Sequence, residues 1–148
     1  MKPANAVAAI ITNNKNEVLL QHRDAIPNIF YPSYWGCFGG GVEAGETLEE
    51  AIARELWEEL GIDNFIFNYF SSISLDFSPI GGESVNRIYF HSSIDPLEIA
   101  QIKLAEGSGY EFLAEERIAD YLITPYDKFA LDLYFAANET SINFQEKT

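Results

Sequence analysis

The stretch Phe38–Ile62, FGGGVEAGETLEEAIARELWEELGI, constrains this chain more than any other. Thr47–Leu60 has the spacing of a helix, with Thr47 and Glu50 placed as a capping box and Gly61 just past the end. At 100° per residue, Ile52, Ala53, Leu56, Trp57 and Leu60 share one arc, which is expected to face the core. Glu55, Glu58 and Glu59 fall on an adjacent stripe, so three carboxylates converge. On a bare helix each such like-charge pair costs a few tenths of a kcal/mol, roughly. A hard divalent cation reverses that sign, because each glutamate then becomes an oxygen ligand or accepts from one. Arg54 is the only basic residue between Arg23 and Arg87. Its fork can hold a carboxylate by two hydrogen bonds, and Glu46, Glu50 and Glu58 are the candidate partners. The glycines at 39–41 and 45 let main-chain amides and carbonyls approach an ion or a phosphate.

Charge narrows the partners. The chain has 148 residues, nine Lys and Arg against 23 Asp and Glu, and a net charge of −14. Polymeric nucleic acid is held by many contacts from basic side chains to phosphates, so RNA and DNA are not expected partners. Most of the acids read as a solvated surface. A chain that is 47% hydrophobic can bury a core in one domain, and 1–148 is read as that domain, with 138–148 a polar tail expected to fray. Runs such as Val7–Ile11 are too short to cross a membrane, and Met1–Asn5 has no signal-peptide pattern. The single cysteine, Cys37, allows no internal disulfide, which fits a reducing, cytoplasmic setting.

The remaining segments alternate between strand and helix signals. Ala4–Thr12 and Glu17–His22 read as a hairpin around Asn13–Asn16. Arg23–Ser33 is a loop with two prolines. Strands are expected at Phe65–Phe77 and Glu83–Ser93, around Pro79–Gly82, and near Tyr110–Leu113, with a last helix at Pro125–Ala136. This order implies a mixed sheet covered by helices, an α/β fold.

Gly40, Glu46, Arg54, Glu55, Leu56, Glu58, Glu59, Gly61 and Ile62 fix nine positions at set spacing, and a chance match is on the order of one in a million. The stretch 40–62 resembles the Nudix box at every defining position. The resemblance implies an α/β/α sandwich with a mixed sheet, Mg²⁺ or Mn²⁺ as cofactor, and cleavage of a diphosphate bond in a small nucleotide. It makes Glu55, Glu58 and Glu59 metal-binding glutamates, Arg54 the orienting arginine, and Gly39 the donor of a carbonyl to the metal. Gly40 is expected to lie against the substrate. A standard or oxidised nucleoside triphosphate, giving a nucleoside monophosphate and pyrophosphate, is the first substrate class. A nucleotide sugar or ADP-ribose is the second. Related domains that sense nucleotides without cleaving them usually lose box glutamates, and none is lost here. Isoprenoid-diphosphate isomerases, which use a cysteine, are a third reading, but Cys37 has no suitable partner in sequence. Relatives are often dimers, and a homodimer is compatible with exposed strand edges.

Outside the box the signals are thinner. Glu106, before Gly107, resembles a glutamate that completes the metal shell or acts as base in many family members; the alternative is an ordinary loop acid. Arg23 resembles a substrate-contacting residue of the triphosphate-cleaving members, and the alternative is a surface arginine paired with Asp24. His22 is expected to point away from it. The aromatics at 30, 31, 34 and 35 could stack on a base or pack the loop. Asp127 stands where a side chain reads the base in the oxidised-nucleotide members, in place of an expected asparagine; it could equally be a helix N-terminal acid. The general base is left open among Glu58, Glu59 and Glu106.

Overall fold

The computed structural model describes residues 4–105 and 107–147, with side chains through 139. Seven strands form one sheet: β1 (Ala4–Thr12), β2 (Val18–His22), β3 (Trp35–Gly36), β4 (Phe38–Gly41), β5 (Asn68–Asp76), β6 (Ser84–Ser93) and β7 (Gly109–Leu113). Helices α1 (Leu48–Leu60), α2 (Pro96–Ala100), α3 (Glu115–Ile118) and α4 (Pro125–Lys147) complete the chain.

The apolar run of β1 explains the layering. Side chains alternate across a strand, so a continuous apolar run must be covered on both faces. Val7, Ala9 and Ile11 meet Ile52, Leu56 and Leu60 of α1 on one side. Ala8 and Ile10 meet Ala130, Leu131 and Tyr134 of α4 on the other. The expected α/β/α sandwich is therefore present. Its sheet is mixed, as expected: β1 runs parallel to β6 from Ala4↔Val85 to Thr12↔Ser93, and antiparallel to β4 from Ala6↔Gly41 to Ala9↔Phe38.

The hairpin between β1 and β2 is shorter than the sequence suggests. Their pairing is registered only at Thr12↔Val18. One edge of β1 is taken by β6 along its length and the other by β4 from Ala6 to Ala9, and β2 pairs chiefly with β3 and β7. Trp35–Gly41 is interrupted at Cys37 and passes from β2 to β1 at that point.

Helix α1 has both halves of the expected capping box, and Gly61 closes it at φ 72°. Its rotation differs from the simple wheel. The buried face is Ala51, Ile52, Leu56, Glu59 and Leu60, whereas Trp57 is 55% exposed and Ala53 is exposed too. The cause is β4: its glycines have no side chains, so the helix can lay glutamates rather than the indole against the sheet. Helix α4 runs on to Lys147 instead of ending near Ala136, and residues 137–147 contain no glycine or proline to stop it.

Candidate active site

Three elements converge at the seam between α1 and β4. Glu59 is 4% exposed, and its Oε1 accepts from the Gly39 amide at 3.1 Å. The Glu55 carboxylate lies over Gly40 so closely that a Cβ there would stand 2.5 Å from its Cδ. A Cβ on Gly39 would meet the Val7 carbonyl oxygen at 2.0 Å. The two glycines thus serve different ends: Gly39 lets β4 sit on β1, and Gly40 makes room for a carboxylate.

Arg54 organises the acids. Its Nε and Nη2 donate to the two oxygens of Glu46 at 2.7 and 3.0 Å, the bidentate pair. Nη1 donates to Glu55 at 2.9 Å and Glu58 at 3.3 Å, and Nη2 also reaches the Gly41 carbonyl at 3.0 Å. Of its sequence-expected partners, Glu46 and Glu58 are engaged, while Glu50 instead accepts from the Thr47 amide in the cap. The arginine holds the Glu46 carboxyl below its usual pKa range, with the Glu43 amide adding to the effect. The Arg54 charge is itself stabilised, first by Glu46.

Only oxygen donors are offered at this seam, which suits a hard divalent cation. Among the described residues, no three carboxylates, imidazoles or thiols stand close enough to make a finished cage. Glu55 and Glu59 face the glycines, and Glu58, half exposed, is drawn toward Arg54. Glu106 lies outside the described residues. Its neighbours are placed: the Ala105 amide donates to the Glu59 carbonyl at 3.1 Å, and the Ser108 amide to the His22 carbonyl at 2.9 Å. Ala105 is thus tied to α1 and Ser108 to the end of β2.

Arg23 does not pair with Asp24. Its Nη2 donates to the Phe30 carbonyl at 2.8 Å and its Nε to the Tyr31 carbonyl at 3.3 Å. It also lines a cavity of about 470 Å³ with Gln21, Asp24, Ile26, Ile29 and Gly107. His22 does turn elsewhere and stacks on Trp35 at 4.6 Å. The loop aromatics pack chiefly on protein: Phe30 on Phe77, and Tyr31 on Tyr34 and Tyr126.

Asp127 lies in the first turn of α4, as its helix-start reading has it, but it is 1% exposed rather than at the surface. Its Oδ1 accepts from the Tyr89 hydroxyl at 2.7 Å and Arg87 Nε at 3.1 Å, and its Oδ2 from the Cys37 amide at 2.9 Å. A Cβ on Gly36 would come within 2.8 Å of that carboxylate. Burial opposes the Arg87 charge, yet Asp127 holds its pKa above the usual value. Burial and then Asp127 push Tyr89 and the Cys37 thiol upward. Cys37 is accordingly a packed, protonated thiol, not a nucleophile. The Arg87 guanidinium also lies 5.0 Å from the centre of the Tyr126 ring, and Arg87, Tyr89 and Tyr126 are not legible as a group in the sequence. Arg87 and Tyr89 share a face of β6 by their spacing of two, but nothing in the sequence ties them to residue 127.

The sequence profile of the NUDIX domain matches residues 2–134. The chain belongs to the Nudix family. A nucleoside triphosphatase NudI from Enterobacter sp. (strain 638) is 43% identical over 61 residues, 41% of this chain and 42% of that protein. The 8-oxo-dGTP diphosphatase of Escherichia coli K12 is 35% identical over 77 residues, 52% of this chain and 58% of that protein. This Nudix chain thus spans about half the length of these two curated relatives. Over whole folds, the MutT protein from Methanosarcina mazei Go1 aligns with a TM-score of 0.78 at 27% identity, covering 93% of this chain and 96% of that one. The E. coli ORF135 protein aligns at 0.75 and 26%, covering 93% and 92%. Among the described residues no helix is long and apolar enough to cross a membrane.

Proposed function

We propose that this Nudix protein hydrolyses a diphosphate bond in a nucleoside triphosphate, releasing a nucleoside monophosphate and pyrophosphate. The observation that carries this reading is the α1–β4 seam, where Glu55 and Glu59 are held against Gly40 and Gly39 with Arg54 bonded to the acids around them. Glu55, Glu58, Glu59 and the Gly39 carbonyl would hold Mg²⁺ or Mn²⁺, with Glu106 a further ligand. The ion supplies charge neutralisation at the diphosphate oxygens and a more acidic water. Arg54 fixes the direction of Glu55 and limits where Glu58 can swing. Gly40, with the Glu55 carboxylate against it, and Arg23, which lines the cavity with Gln21 and Gly107, are assigned to substrate contact. One of Glu58, Glu59 and Glu106 takes the water's proton; coupled carboxylates share such a role.

Triphosphates rank above nucleotide sugars and ADP-ribose because both curated relatives described above are named for triphosphate substrates. For the base end, Asp127 acts through Arg87, since the carboxylate is saturated by Tyr89, Arg87 and the Cys37 amide. The protein works as a cytoplasmic enzyme on small nucleotides, and a homodimer is compatible with the exposed edge of β5.

The test is product release from a panel of standard and oxidised triphosphates, ADP-ribose and nucleotide sugars, with Mg²⁺ and with Mn²⁺. Pyrophosphate release that needs the metal and falls at least ~10²-fold in Glu59→Gln is expected, the scale of losing a group that stabilises the transition state. Undiminished turnover by Glu59→Gln on every substrate would refute the proposal. Nucleotide binding without turnover would mark a sensing domain instead.

A further inference from the structure

The loop from Asp24 to Ser33 is fastened more tightly than its sequence suggests. Its ends are joined by Arg23 N–H to the Tyr34 carbonyl at 2.9 Å and Ser33 N–H to the Asp24 carbonyl at 3.3 Å. Inside, the Arg23 side chain holds the Phe30 and Tyr31 carbonyls, and His22 Nε2 lies 3.1 Å from the Ser33 carbonyl. Tyr31 at φ 53° and Ser33 at φ 65° are two of the three non-glycine residues with positive φ among the described residues. That backbone is unfavourable for a bulky side chain and persists only where its surroundings enforce it. The Phe30 ring lies against Phe77 and Gly82 at the tip between β5 and β6, and the Tyr31 ring against Tyr126, next to Asp127. The same loop walls the cavity that Arg23 lines, beside the turn that Ala105 ties to Glu59.

We propose that Arg23 is a latch: an anionic phosphate entering the 470 Å³ cavity takes its guanidinium from the Phe30 and Tyr31 carbonyls and frees the aromatic loop. This deepens the nucleotide reading given above and rests on it for the identity of the anion. The physical driver is the difference in acceptors. A phosphate oxygen makes a charge-assisted hydrogen bond roughly twice as strong as a neutral carbonyl does, and an arginine fork can take two of its oxygens at once. Once the fork leaves, the Tyr31 backbone loses two of the contacts that hold it at positive φ. Its ring can then move off Tyr126. Occupancy at the phosphate end thereby loosens the wall at the base end, so that the loop can repack on whatever base is present. Arg23 acts here as a positioning residue for the loop as well as a phosphate contact.

Hydrogen exchange on the full chain, with and without inorganic pyrophosphate and without metal, tests the latch. Pyrophosphate should speed exchange several-fold at the amides of residues 25–33 in the unaltered protein. Arg23→Gln should exchange fast there without any ligand and show no response. Arg23→Lys, which keeps the charge but cannot bridge both carbonyls, should also start fast. Slower or unchanged exchange on adding pyrophosphate, failure of pyrophosphate to bind by calorimetry, or an Arg23→Gln loop as slow as the parent would each overturn the proposal. Glu59→Gln separates the two readings. It should lose turnover and keep the pyrophosphate response; turnover retained with the response intact removes only the proposed activity.

Discussion

The three consecutive glycines of β4 lend themselves to a graded experiment, because an added methyl meets a different obstacle at each. At Gly39 the new Cβ would stand 2.0 Å from the Val7 carbonyl oxygen and 2.7 Å from the Ala8 Cα, at φ 152°. Those atoms belong to the central strand and cannot yield without breaking the β1–β4 ladder. Overpacking of this kind costs about 3 kcal/mol or more. In a chain of this length that lowers the melting temperature by about 10 °C. At Gly40 the Cβ would meet Glu55 at 2.5 Å, a side chain that can rotate away. The fold should survive with a loss of about 1 kcal/mol, the net worth of a typical hydrogen bond such as that from Arg54 to Glu55. Glu55, though, must move by about 1 Å to reach ordinary contact, and a displacement of that size costs about 10²-fold in rate. At Gly41 nothing lies within 4 Å, so alanine should leave both properties unchanged or raise stability slightly. Thermal melts, Mn²⁺ calorimetry and pyrophosphate release on the three single variants give the comparison. Gly40→Ala with full activity and unchanged Mn²⁺ affinity, or Gly39→Ala melting with the parent, would refute this division of labour.

Three further outcomes are expected. Asp127→Ala strips Arg87 of its buried partner and leaves the Cys37 amide without its acceptor, so urea denaturation should show a loss of about 3–5 kcal/mol. Burial lowers the His91 pKa from its ordinary value of 6.5, so the fold keeps it neutral. Its contribution is complete above about pH 6.5 and is lost as pH falls toward the lowered value, so melting temperature should decline there, less steeply in His91→Gln. Cys37, buried and with its thiol pushed up, should resist alkylation at pH 8 until the protein is unfolded, as mass spectrometry would register.

The sequence by itself determined β1, β2, β5, β6, β7, α1, the start of α4 and the acidic cassette, but not α2, α3 or the division of residues 35–41 into β3 and β4. What it determined is local: capping, periodicity and the spacing of Glu55, Glu58, Glu59 and Arg54 need no distant partner to be read. It also determined the two-sided burial of β1, since an uninterrupted apolar run leaves no solvent face. Other features depended on distant contacts. Which way α1 turns was decided by the glycines it packs on, so Trp57 went outward and Glu59 inward. The reach of the β1–β2 hairpin was decided by the pairing of β2 with β3 and β7. Arg23 and Asp127 stood in the sequence as single charged residues with alternative readings. Their partners, the Phe30 and Tyr31 carbonyls in one case and Arg87, Tyr89 and the Cys37 amide in the other, are main-chain groups or residues as many as 90 positions away. Hydrogen bonding at that separation follows from the sheet register and the docking of α4, which no local pattern encodes.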